Sequence, residues 1–125
     1  MATYESDSIA DGFAKNNSKL KNIGIPDTVK YIGKNAFMGS TSLESIDMGI
    51  NTKYIGEYAF AGCIKLNKII IPGNVKVINK GVLQDCSALE KVDINSGVEI
   101  IKENVFDGVN SECKVVMPLS IKCRM

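Results

Sequence analysis

The chain has 125 residues, 45% of them hydrophobic and 23% charged, with 15 Lys and Arg against 14 Asp and Glu for a formal charge of +1. These values exclude a disordered chain, leave no room for two ordinary domains, and still allow a continuous buried core. Near-neutrality gives no signal for nucleic acid or an anionic membrane, and a chain without histidine lacks a histidine-assisted nucleophile, the usual neutral-pH base and imidazole metal ligands.

The first residues, MATYESDSIADG, hold neither a basic region nor an apolar run. Apolar runs are short, and Ile69 to Ile71 and Val115 to Met117 each stop at a proline. Neither a signal peptide nor a membrane span is predicted as written. Such a chain reads as cytosolic if complete, and a segment of a longer secreted protein would read the same way.

Residues 1–8 are assigned to an N-terminal cap, and from Ile9 onward the chain repeats every 23 residues. A first unit, 9–31, carries Ile9, Leu20, Ile23, Ile25 and Val29, but its Phe13 stands one residue earlier than Phe37, Phe60 and Phe106. That offset predicts distortion at the first coil. Units two and three, 32–54 and 55–77, are marked by the phrases YIGKNAFMGSTSL (31–43) and YIGEYAFAGCIKL (54–66), which share Tyr, Ile, Gly, Ala, Phe, Gly and Leu in the same places. Unit four, 78–100, replaces Asn-Ala-Phe by Gly81-Val82-Leu83, a volume change that adjacent layers can absorb. Unit five, 101–123, puts Glu112 in the column of Leu20, Leu43, Leu66 and Leu89. A buried carboxylate there would be costly, so this coil reads as an open or capping end with Cys113 turned inward.

Within each unit LxxIxI, as in Leu66 to Ile71, ends in alternation and is closed by proline or a small turn-former, which predicts a short strand. The segment IGxxAF, as in Ile55 to Phe60, follows another short extended run and is expected to make one helical or 3₁₀ turn. One unit cannot bury enough apolar surface to fold alone. Stacked copies share burial and hydrogen-bond strand to strand, which predicts a solenoid with a parallel sheet along one side.

The unit LxxIxIPxxVxxIGxxAFxxCxx, best seen over 43–65 and 66–88, resembles the BspA-type leucine-rich repeat. That resemblance implies an α/β repeat fold, a right-handed leucine-rich-repeat solenoid with a parallel sheet on one face and short helical or 3₁₀ turns on the other. It implies a single domain over 1–125 and a role in adhesion or protein binding at a cell surface. It supplies no catalytic residue and no cofactor.

Candidate chemistry is sparse. Cys63 and Cys86 fall in one column, where stacked Cβ atoms would lie near the layer spacing of about 4.8 Å rather than the ~3.8 Å of a disulfide, so buried thiols are expected. No CxxC pair is present, which argues against a Cys₄ zinc site. Cys113 and Cys123 are read as free thiols, with a terminal disulfide as the alternative in an oxidising compartment. Asp47 and Asp93 share a strand column two layers apart, at roughly 10 Å, and read as solvated acids.

What remains is a surface. If Leu, Ile and the final Ile of LxxIxI face inward, the alternating positions face out. One outward column is Asn22, Ser45, Lys68, Lys91 and Lys114; the other is Gly24, Asp47, Ile70, Asp93 and Val116. The expected partner-binding residues are Ser45, Asp47, Lys68, Ile70, Lys91, Asp93, Lys114 and Val116. A second lysine column, Lys30, Lys53, Lys76 and Lys122, reads as an ordinary charged turn. The sequence therefore predicts a non-catalytic module that binds another protein through its sheet, without nucleic acid, membrane insertion or metal. The alternatives are an intracellular binder acting by steric occlusion and a structural segment whose partners are further repeats. Val115-Val116-Met117, a short apolar run before Pro118, adds an expected self-association through the C-terminal coil.

Overall fold

In a computed structural model that describes residues 7–123, the chain winds as a β-solenoid of about five turns. Eleven short strands follow in order: β1 (Ser8–Ile9), β2 (Asn22–Gly24), β3 (Tyr31–Ile32), β4 (Ser45–Asp47), β5 (Tyr54–Ile55), β6 (Lys68–Ile71), β7 (Val77–Ile78), β8 (Lys91–Ile94), β9 (Ile100–Ile101), β10 (Lys114–Val116) and β11 (Lys122–Cys123). The even-numbered strands form a five-stranded parallel sheet in the order β10-β8-β6-β4-β2, and the other strands form two parallel sheets, β1-β3-β5 and β11-β9-β7. Within the strands every residue lies one repeat away from its partner except between β9 and β11, where Lys122 meets Ile100 and Cys123 meets Ile101. That shift places β11 one residue ahead of the 23-residue pattern.

The core is a stack of the predicted columns. Leu43, Leu66 and Leu89 are fully buried, as are Ile32, Ile55 and Ile78, while Glu112 in the last leucine position is exposed and Cys113 is partly buried against the core. The Phe37 and Phe60 rings stack at 5.4 Å with planes 4° apart. Phe13 does not join them. Ala14 takes the buried place and Phe13, 62% exposed, meets Phe37 edge-on at 6.2 Å.

The corner opposite the large sheet departs from expectation. No helix is present among the described residues, and the IGxxAF segments form runs of turns. The reason lies in a paired left-handed backbone repeated in every coil: Gly12 and Asn16, Asn35 and Gly39, Tyr58 and Gly62, Gly81 and Asp85, Asn104 and Gly108 all have positive φ. A left-handed residue at every fourth position cannot propagate a right-handed helix. Donors alternate instead. In the second coil, Ala36, Met38 and Ser40 donate their N–H to carbonyls three residues back, whereas Asn35, Phe37 and Gly39 donate to Glu57, Ala59 and Ala61 of the next coil. The corner thus carries its own inter-coil ladder, and backbone hydrogen bonds tie coils together on all three sides.

Two of the expectations touch residues beyond the described range. The cap expected over 1–8 lies mostly outside it, and so does the side chain of Cys123.

Candidate functional site

The eight expected partner-binding residues lie on the outer face of the five-stranded sheet. Alternation on each strand sends Ile46, Ile69, Ile71, Val92 and Ile94 into the core. The residues between them therefore point outward. Asn22, Ser45, Lys68, Lys91 and Lys114 stand opposite one another in successive strands. In the next column Gly24 pairs with Asp47, and Ile70, Asp93 and Val116 follow in register. Ile70 and Val116 are 45% and 46% exposed, Asp93 is half-buried, and the other five are exposed.

The two halves of this face differ. At the N-terminal half, Ser45 donates its hydroxyl to the Asn22 side-chain oxygen, holding two small polar groups together. Gly24 beside them has open space where a Cβ would stand. A shallow hollow of about 430 Å³ results, lined by residues that include Gly24, Asp47, Lys68 and Ile70. At the C-terminal half, Lys68, Lys91 and Lys114 form a row at the strand spacing of about 4.8 Å. Among the described residues the ion pair within 4 Å is Lys34 Nζ to Glu57 Oε1 at 3.9 Å, away from this sheet. Among the described residues the lysine row thus makes no close ion pair, although Asp47 and Asp93 stand in the adjacent column, and each neighbouring lysine pair repels by up to about 0.9 kcal/mol in water.

The cysteines belong to the scaffold. Ser40, Cys63 and Cys86 occupy one buried column, and each donates to a carbonyl of the preceding coil: Ser40 Oγ to Ala14 at 2.8 Å, Cys63 Sγ to Phe37 at 3.2 Å, Cys86 Sγ to Phe60 at 3.1 Å. Cys63, Cys86 and Cys113 are free thiols. Burial pushes the Cys63 thiol up to about 12, and burial, reinforced by nearby Cys63, pushes Cys86 up as well. Neither is a nucleophile at neutral pH. No group of three or more His, Cys, Asp or Glu side chains suited to a metal exists among the described residues.

One surface feature went unassigned in the sequence. Tyr31 and Tyr54, 44% and 48% exposed, pair in register on β3 and β5, and each follows a lysine of the second column, Lys30 and Lys53. The signal was present in the repeated phrase, where Tyr precedes the buried Ile at both places.

A parallel β-solenoid with a core of stacked columns and an open sheet face is the architecture of leucine-rich-repeat proteins. The chain belongs to the family described as BspA type leucine rich repeat region, whose model matches residues 7–122 with six copies. The structure is similar to that of a leucine rich cell surface protein from Faecalibacterium prausnitzii A2-165, with a TM-score of 0.86 and 28% identity over 93% of this chain and 31% of that one. It shares its fold with a leucine rich repeat protein of T. pallidum, at a TM-score of 0.68 and 20% identity over 94% of this chain and 66% of that one. This chain therefore spans about a third of the length of the Faecalibacterium protein. No curated protein matches the sequence.

Proposed function

We propose that this solenoid is a non-catalytic protein-binding module whose contact surface is the outer face of the five-stranded sheet, and that it serves adhesion or surface interaction. The observation that carries the reading is the pair of in-register outward columns, from Asn22 to Lys114 and from Gly24 to Val116, which present charged, apolar and small groups on one surface. A row of like charges and two half-exposed aliphatic side chains on one face suit a partner surface. The chemistry agrees: no histidine is present, and the two most buried thiols are held protonated. The cell-surface description of the Faecalibacterium protein supports the surface setting.

Site-specific photo-crosslinking tests the reading. A crosslinking side chain at Ser45 or Lys91, offered a panel of extracellular proteins, is expected to capture a partner, while the same group at Lys76 or Lys102 captures none. Capture only from Lys76 or Lys102 would overturn the sheet-face assignment.

A further inference from the structure

Resting on that sheet-face reading, we infer that the partner segment is acidic: an extended stretch of protein that lays two or three carboxylates along Lys68, Lys91 and Lys114 and drops an apolar side chain into the hollow over Gly24. The lysine row supplies the charge argument. Its three side chains are exposed, stand in register on β6, β8 and β10, and meet no carboxylate in an ion pair among the described residues. An acidic segment gains attraction to each lysine and also removes the repulsion between them.

The geometry sets the length and direction. From β10 to β2 the face spans four strand spacings, about 19 Å, which an extended chain covers in about six residues. Side chains on one side of such a segment recur every ~6.8 Å. Two or three of them fit over a lysine row about 10 Å long, since lysine stems adjust by more than the mismatch. The segment then reaches the hollow, where Gly24 leaves room and Ile70 supplies an apolar wall. Asp47 and Asp93 lie in the adjacent column, so carboxylates displaced by one column would meet like charge. Register is thereby selected as well as sign.

Selection from a random peptide library at low salt, followed by amide chemical-shift mapping of the bound peptides, tests this. The expected result is enrichment of peptides with clustered Asp or Glu and one apolar residue, with shifts on β6, β8, β10 and around Gly24. The triple variant Lys68→Glu, Lys91→Glu, Lys114→Glu should weaken them by on the order of tenfold or more, while Lys30→Glu, Lys53→Glu, Lys76→Glu leaves binding unchanged. An unchanged circular dichroism spectrum and unfolding midpoint identify a triple variant that is still folded. Neutral or basic peptides mapping to the same sheet would overturn the acidic partner and leave the sheet-face reading standing. Peptides mapping to another face, or no enrichment, would overturn both.

Discussion

Single side chains show how tightly the repeat constrains its interior. Thr52 stands among Val29, Val75 and Val98 in a buried column, is 0% exposed, and its Oγ1 has no hydrogen-bond partner. A buried hydroxyl without a partner costs more than the methyl that would replace it. Thr52→Val is therefore expected to stabilise the chain by about 1 kcal/mol, read as a higher urea midpoint at unchanged slope. The Cys63 and Cys86 thiols make a pH prediction. The Cys63 thiol titrates at about 12 when folded against 9.0 for the ordinary group. The folded state holds its proton while the unfolded state releases it, so stability is full below pH 9 and falls as pH rises from about 9 toward 12. The slope reaches about 1.4 kcal/mol per pH unit for each buried thiol. Unfolding midpoints measured from pH 8 to 11 should fall more steeply in the wild type than in Cys63→Ser, Cys86→Ser, and neither thiol should react with a thiol reagent at pH 8 without unfolding.

Among the elements, the seam between β5 and β7 is the informative one. Ile9, Ile32 and Ile78 each accept the backbone N–H of the residue that begins the next turn, from Gly33, Gly56 and Lys102. At Ile55 the donor is the side-chain amide of Asn79, at 2.7 Å, and the sheet order breaks there into two three-stranded pieces. A Cβ at Gly56 would stand 2.5 Å from the backbone N of Lys34, so this column brings successive coils into close contact. Asn79 is buried, at 8% exposure, and its amide spans the seam. Asn79→Ala leaves the Ile55 carbonyl without that donor and is expected to cost about 1 to 3 kcal/mol. Amide hydrogen exchange should then quicken first along β5 and β7, and uniform exchange would show that the seam is not bridged by this residue.

At the scale of the whole molecule, stability comes from stacking, and the end layers are less covered than the middle ones. Phe106, Val109, Val115, Met117 and Ile121 are only partly buried, although the matching residues of the third and fourth coils are at or near zero exposure. β10 is an edge strand of the large sheet, and Val116 on it faces outward. Unpaired edge groups beside apolar surface favour pairing between copies. The 125-residue chain is expected to self-associate through β10 at high micromolar concentration, and Val116→Lys to weaken that association without lowering the unfolding midpoint. A strict monomer in sedimentation would rule this contact out.

Much of this architecture is written into periodicity. A repeat of 23 residues places like residues in columns, and alternation within LxxIxI assigns each to the core or the outer face, so the buried Leu, Ile and Phe stacks and the lysine row were all legible in the sequence. The family followed from the same phrases. The turn corner was not legible, because whether IGxxAF closes as a helix depends on the sign of φ at Asn35, Tyr58 or Asp85, left-handed residues whose own N–H groups donate to Glu57, Lys80 and Asp107 of the next coil. Phe13 was visible as displaced, yet only packing put Ala14 beneath Phe37 and left the ring at the edge. The hollow over Gly24 likewise belongs to the tertiary structure. Repetition of sequence fixes which residues meet in adjacent coils, whereas the gaps, seams and left-handed turns arise from how closely those coils can approach.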